Sequence, residues 1–143
     1  MSFESLKSGN LEDGVRQSVR DAGCVVVRGV VASDVASGWK DSVLAYAKNN
    51  PSHRGFPPDN PQVYELYWSV AQTQARQHPN VHDTILGLNA IWDPVAPSTD
   101  VNLTAPLVYG ERLRIRQPGD STFQLGPHMD GGCVRDDGLV MRC

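Results

Sequence analysis

The stretch PLVYGERLRIRQPGD, residues 106–120, carries the strongest fold signal in this chain. From Glu111 onward charged and apolar residues alternate, which places Leu113 and Ile115 on one face of a predicted strand. The opposite face carries three arginines: Arg112, Arg114 and Arg116. The tetrapeptide QPGD, residues 117–120, follows with proline and glycine at the positions that a type II turn requires. A β-meander is therefore predicted to begin here.

A candidate metal motif follows the next predicted strand, STFQL, residues 121–125. In GPHMDGG, residues 126–132, His128 and Asp130 stand two positions apart, so in an extended chain both side chains project to the same side. An imidazole and a carboxylate are two of the three ligands of the facial triad that binds Fe(II). The alternative stays open that they are two polar residues in a turn, because so short a motif also arises by chance.

The part of the chain before this region predicts helices around one strand. A short helix should follow Asn10 and end at Gly23, and a longer one should run from Ser33 to Asn50. Between them lies CVVVRGVV, residues 24–31, a continuous β-branched run that is typical of a strand buried on both faces.

Two more helices are predicted before a linker. One should start at Asn60 and Pro61 and run to Pro79, and the next should be capped by Asn80 and end near residue 92. Helical spacing predicts that three tryptophans belong to the core: Trp39, Trp68 and Trp92. We therefore divide the chain into a helix-rich α/β region (1–93), a linker rich in Pro, Ser and Thr (94–106), and a β region (107–143), which makes the fold class α+β.

Composition limits the classes of partner. The chain has 143 residues and a formal charge of −3, and its thirteen Lys and Arg residues are mostly scattered, which argues against binding to nucleic acid or a membrane surface. The amino-terminal residues contain no apolar run typical of a secretory signal. Three cysteines without a C-x-x-C motif favour reduced thiols and a cytoplasmic location. The oligomeric state is left open.

The segment PLVYGERLRIRQPGD…FQLGPHMDGG resembles the start of the catalytic jelly roll, a double-stranded β-helix, in a microbial family that carries a domain-of-unknown-function label. That family is grouped with the Fe(II)- and 2-oxoglutarate-dependent dioxygenases. The upstream segments GCVVVRGVV, YELYWSVAQTQARQHPNV and NAIW are similar to it as well, so that the resemblance spans roughly residues 10–133.

The resemblance implies that His128 and Asp130 are the first two iron ligands, with Fe(II) and 2-oxoglutarate as cofactors and a small molecule as substrate. Arg114 is our candidate for binding the 2-oxo acid, since a guanidinium matches a carboxylate in a bidentate way. A solvent-facing strand edge protected by charge is the alternative for the three arginines.

The family pattern places a second histidine ligand on a later strand, and no residue after Asp130 is a histidine. We expect the three upstream histidines to be exposed surface residues: His53, His78 and His82. The chain is thus expected to be a truncated amino-terminal fragment of a dioxygenase-like protein, inactive by itself and poorly packed over residues 107–143. Two alternatives stay open: a non-catalytic remnant or small interaction domain without metal, and a metal site completed between two chains.

Overall fold

The computed structural model describes residues 1–92, 102–121, 126, 133–134 and 140–141. The helices of this part of the chain are α1 (Phe3–Lys7), α2 (Asp13–Ala22), α3 (Ser33–Asn49), α4 (Val70–Gln77) and α5 (Pro79–Asn89). Its strands are β1 (Gly55–Phe56), β2 (Val63–Tyr64), β3 (Leu113–Arg114), β4 (Cys133–Val134) and β5 (Val140–Met141). The α+β class predicted from the sequence is confirmed.

Three short strands form one antiparallel sheet in the order β1-β2-β3. Val63 is the central residue of one cross-strand row, since it pairs with Phe56 on one side and with Arg114 on the other. Strands β4 and β5 form a separate antiparallel pair. The division of the chain at residues 94–106 stays a prediction, but β2 and β3, which lie on either side of that segment, share a sheet.

The core lies where α1, α2 and the end of α5 meet. Leu6, Val19 and Ile91 form its buried cluster. Partly buried apolar side chains pack around that cluster: Met1, Leu11, Val25, Val27 and Leu88. Arg20 donates from Nε to the Ile91 carbonyl oxygen at 2.8 Å, so its side chain ties α2 to the residues that follow α5.

The two helices predicted on either side of residues 24–31 are confirmed, with one change. Helix α2 begins at Asp13, and Glu12, not Asn10, occupies its amino-terminal cap position. It ends at Gly23, whose φ of 66° is the left-handed conformation that favours glycine at a helix end. Helix α3 begins at Ser33 and ends at Asn49, close to the predicted bounds.

The prediction that residues 24–31 form a strand buried on both faces was wrong. Among the described residues, the main chain of Arg28 pairs with the amino-terminal residues, where Phe3 N donates to Arg28 O at 2.8 Å. Val25 and Val27 pack against the core, but Val26 is 65% exposed. Among the described residues, this segment pairs with the amino-terminal residues along one edge and packs on the core with one face. A β-branched composition is therefore not enough to make it a central strand.

The helix predicted from Asn60 also begins later than expected. Val63 and Tyr64 are held in the sheet by partners on both edges, which overrides the helical spacing of the local sequence. Helix α4 therefore starts only after Ser69, whose hydroxyl accepts a hydrogen bond from Gln72 N while the Gln72 side chain accepts from Ser69 N. Helix α5 is capped by His78, with Pro79 at its first position, and not by Asn80 as predicted.

Most of the predicted aromatic core lies near the surface instead. Trp39 is half-buried and donates from Nε1 to Gln74 Oε1 at 2.9 Å. Trp68 is 76% exposed, and Trp92 is exposed as well, so the prediction failed for these two tryptophans. Leu107 and Tyr109 are also exposed, whereas Leu113 and Ile115 of the same segment are half-buried, so the packing expected for residues 107–143 stays a prediction. None of the helices described is long and apolar enough to cross a membrane.

Candidate functional site

Arg114 lies on β3, on the face of the sheet that carries the predicted row of arginines. In an antiparallel pair, residues directly opposite share a face, so Arg114 projects to the same side as Val63 and Phe56. Exposure alternates along β3: Leu113 and Ile115 are half-buried, whereas Arg112, Arg114 and Arg116 are exposed. The alternation read from the sequence is therefore confirmed.

Arg112 is oriented by a tyrosine from the amino-terminal part of the chain. Its Nε donates to the Tyr67 hydroxyl at 3.1 Å. That hydrogen bond and the electrostatic effect of Tyr67, with a smaller contribution from Glu65, raise the pKa of the Arg112 guanidinium above its ordinary value. A guanidinium held through Nε has a fixed plane, which suits it to bind a planar carboxylate.

A fourth arginine and a carboxylate lie on the same face. Glu65 N donates to Arg54 O at 3.0 Å, and the two side chains form an ion pair at 3.2 Å. The face thus carries four guanidinium groups beside the Glu65 carboxylate: Arg54, Arg112, Arg114 and Arg116. A strand face rich in guanidinium groups can bind a small anion, although exposed charges in water hold it weakly.

The turn after β3 is anchored by a buried amide. Gln62, only 3% exposed, donates from Nε2 to Asp120 Oδ2 at 2.6 Å, and its main-chain oxygen accepts from Ile115 N at 2.8 Å. Asp120 N donates to Gln117 O at 3.1 Å, and Gly119 has a φ of 78°, as the predicted type II turn requires. The chain therefore enters the segment that carries the H-x-D motif from a fixed point.

Two mostly buried polar side chains, Arg76 and Gln72, tie α4 to the strand region. The side chain of Arg76 is 13% exposed; it donates to Glu111 Oε2 at 2.8 Å and to Tyr67 O at 2.7 Å. Its guanidinium also stacks 4.9 Å from the centre of the Trp68 ring. Gln72, also buried, donates to the main-chain oxygens of Leu66 and Glu111. Together these bonds fix the relative positions of residues 66–68 and the start of β3.

The two predicted iron ligands, His128 and Asp130, lie outside the described residues. Within the ranges that the structure describes, no group of three or more His, Cys, Asp or Glu side chains could hold a metal ion. His82 is exposed as expected, but the other two upstream histidines are half-buried. His53 Nδ1 lies 3.2 Å from the Tyr46 hydroxyl, and His78 Nδ1 accepts from Asn80 N, so both have structural partners.

Sequence reasoning missed the residues that fix this region: Gln62, Tyr67 and Arg76. Tyr67 and Arg76 fall in the family-like segment YELYWSVAQTQARQHPNV, but no role was predicted for either. Their partners and that of Gln62 lie far along the chain, 58 residues away for Gln62 and 35 for the Arg76–Glu111 bond. The only available signal was the helix-cap pattern of Ser69 and Gln72, a Ser followed three residues later by Gln.

Comparison with known proteins places the chain in a family. A model of the Gig2-like family matches residues 1–136. The chain belongs to the Gig2-like family. It is 30% identical over 146 residues to the Escherichia coli (strain K12) protein YbiU, described as uncharacterized, and the match covers 94% of this chain and 35% of YbiU.

Solved structures show the same relationship for the Gig2-like chain. The GlcNAc Inducible Gene 2 protein (DUF1479) of Candida albicans superposes with a TM-score of 0.67 at 30% identity, over 82% of this chain and 26% of that protein. A Salmonella typhimurium LT2 protein, named only as a candidate oxidoreductase, superposes with a TM-score of 0.70 at 30% identity, over 84% of this chain and 32% of that protein. The chain thus spans about a third of the length of these relatives.

Proposed function

We propose that this Gig2-like chain is the amino-terminal part of an Fe(II)- and 2-oxoglutarate-dependent dioxygenase-like oxidoreductase that acts on a small molecule. The main support for the proposal is the order of three features along one short segment, from β3 to Asp130. These are the cationic face of β3, a turn closed and anchored at Asp120, and then the imidazole–carboxylate pair of His128 and Asp130. The description of the Salmonella relative as a candidate oxidoreductase supports the same reaction class.

The donor chemistry fits the metal. His128 and Asp130 offer a neutral nitrogen and a carboxylate oxygen, the ligand types of the ferrous facial triad, and a second histidine from a later jelly-roll strand would complete it. When bound, Fe(II) with 2-oxoglutarate supplies the oxidising chemistry. Arg114, with Arg112 beside it on the same strand face, would bind a carboxylate of the 2-oxo acid.

Anaerobic titration with Fe(II) tests the ligand assignment. We expect weak binding by the chain, and we expect His128→Ala or Asp130→Ala to weaken it by about tenfold or more, because each removes half of the donor set. His82→Ala is the matched control, since His82 is an exposed histidine on α5. Equal Fe(II) affinity in the wild type and both ligand variants would contradict the assignment.

Addition of 2-oxoglutarate tests the reaction class. A longer polypeptide that also supplies the third ligand should give a weak visible charge-transfer band under anaerobic conditions, and the 143-residue chain should give none. Arg114→Gln should raise the 2-oxoglutarate concentration needed for half of this band by about fivefold or more, through loss of a charge-assisted bond. Arg54→Gln is the control, because Arg54 lies on the same face but beside β1, at the opposite edge of the sheet from β3.

An interaction domain without metal is the second candidate function. The observation that favours it is a group of large apolar side chains exposed on two neighbouring segments: Trp68, Val70, Leu107 and Tyr109. This second function would be favoured over the first if the protein bound no metal and these four side chains became buried in a complex with another protein.

A further inference from the structure

A groove lies between α3 and residues 65–70. Its volume of about 600 Å³ falls in the range of pockets that hold small molecules. Tyr46 of α3 and Trp68 both line it with aromatic side chains, and Leu66 and Val70 add apolar ones. A lining of this composition suits the apolar body of a small ligand.

Both aromatic rings of the groove are held in place by the protein. The Arg76 guanidinium, which also donates to Glu111 Oε2, lies 4.9 Å from the centre of the Trp68 ring. The Tyr46 ring packs edge-on against the His53 ring with 5.5 Å between ring centres, and its hydroxyl lies 3.2 Å from His53 Nδ1. Rings that are already fixed lose little conformational freedom when a ligand packs on them.

Two polar side chains of the lining already have partners inside the protein. The Glu65 carboxylate pairs with Arg54 at 3.2 Å. The Ser69 hydroxyl donates to Gln72 Oε1 at 2.9 Å and accepts from Gln72 N. The groove itself therefore offers a ligand mainly apolar contacts, and its one carboxylate is neutralised by a neighbouring guanidinium.

A cation lies next to this groove. Tyr67 belongs to the groove lining, and its hydroxyl accepts from Arg112 Nε at 3.1 Å, so Arg112 lies within one tyrosine side chain of the lining. Within the described ranges Arg112 makes no other hydrogen bond or ion pair, which leaves its two terminal nitrogens to donate. These two nitrogens form the fork that matches the two oxygens of a carboxylate.

We propose that the groove and Arg112 together bind a small carboxylic acid with an apolar body. The body packs against Trp68 and Leu66, and the carboxylate accepts two hydrogen bonds from Arg112. Charge complementarity favours an acid over an amine, since Glu65 is paired and Arg112 is not. The site does not rest on the proposed oxidoreductase activity, because this binding needs no metal, and in that activity Arg114 binds the 2-oxo acid.

Two compounds with the same apolar body test the site: hydrocinnamate and its neutral amide. Each is titrated into the nitrogen-labelled 143-residue chain in the presence of EDTA, and NMR follows the indole N–H signal of Trp68. We expect hydrocinnamate to bind about tenfold more tightly than the amide, because only the acid forms charge-assisted hydrogen bonds. The indole signal of Trp92, an exposed tryptophan that follows α5, should not shift. Since EDTA removes metal, failure of this binding and failure of Fe(II) binding are separate results.

Variants locate the carboxylate. Arg112→Gln should weaken hydrocinnamate binding by about tenfold and leave the amide unchanged. Tyr67→Phe keeps the ring but releases Arg112, and should weaken binding of the acid alone by about threefold. Arg28→Gln, which removes an exposed arginine on the segment paired with the amino-terminal residues, is the control and should change neither affinity.

The inference would be overturned by the unmodified chain alone if the acid and the amide bound equally, or if hydrocinnamate caused no saturable shift of the Trp68 signal. Equal affinities of Arg112→Gln and Arg28→Gln for the acid would overturn it as well, because the carboxylate would then lie elsewhere.

Discussion

Gly87 of α5 lies directly against Leu6 of α1: a Cβ atom built at position 87 would stand 2.8 Å from the Leu6 Cγ atom. Leu6 is 2% exposed and belongs to the buried cluster, so it has no free space into which it could move. The absence of a side chain at Gly87 is what allows these two helices to approach so closely.

Gly87→Ala should therefore destabilise the protein by about 1–3 kcal/mol, the usual cost of overpacking a core, although alanine has the higher helix propensity. Urea unfolding followed by circular dichroism measures the change. Gly38→Ala in α3 is the matched control, because a Cβ there meets nothing within 4 Å. That variant should be more stable by about 0.5–1 kcal/mol, and the same sign of change in both variants would contradict the role of Leu6.

The Gln62–Asp120 hydrogen bond should stabilise the fold because its donor, Gln62, is buried and its acceptor is a carboxylate. Gln62→Leu removes it, and we expect the free energy of unfolding to fall by about 1.5–3 kcal/mol. The chain offers an exposed pair of the same chemistry, in which Gln17 Nε2 donates to Asp21 Oδ1 at 2.7 Å on α2. Gln17→Leu should change stability by only about 0.5 kcal/mol or less. Similar losses in the two variants would show that burial of Gln62 does not matter.

Arg76 should not be replaceable by lysine. A single ammonium group cannot reach Glu111 Oε2 and the Tyr67 carbonyl oxygen while also stacking on Trp68, so Arg76→Lys should destabilise the protein by about 1–3 kcal/mol. Arg54→Lys is the control: the Arg54 side chain is 83% exposed and its ion pair with Glu65 should contribute less than about 1 kcal/mol. Thermal unfolding of both variants measures these changes in stability. An unchanged Tm for Arg76→Lys would show that the forked shape of the Arg76 guanidinium is not needed for stability.

The start of α4 should depend on its cap. Ser69→Ala removes the hydroxyl that accepts from Gln72 N, and we expect a loss of about 0.5–2 kcal/mol in unfolding free energy. Ser33→Ala at the start of α3 tests the specificity of this loss, because α3 has no side-chain hydrogen bond at its cap. That second variant should lie within about 0.5 kcal/mol of the wild type. An equal loss in both would point to a general effect of removing serine near a helix start.

The candidate site could be predicted only in part. Alternating residues identified the exposed arginines of β3, and the QPGD tetrapeptide identified the turn with Gly119 at positive φ, since both are set by neighbours along the chain. The bonds that hold these elements in place could not be predicted. Tyr67 orients Arg112 and Gln62 anchors Asp120 across long stretches of chain, and nothing in their local sequence marks them.

Elements with local signals could be predicted from neighbouring residues alone: α2 with its capping Gly23, α3 from Ser33, and the two-residue periodicity of β3. The conformation and burial of the remaining apolar segments depended on tertiary contacts. Within the described ranges, CVVVRGVV pairs only with the amino-terminal residues, and just one of its faces packs on the core. Val63 and Tyr64 form a strand because partners on both edges bind their main chain. Burial and strand pairing depend on what the fold brings alongside a segment, and this information lies elsewhere in the chain.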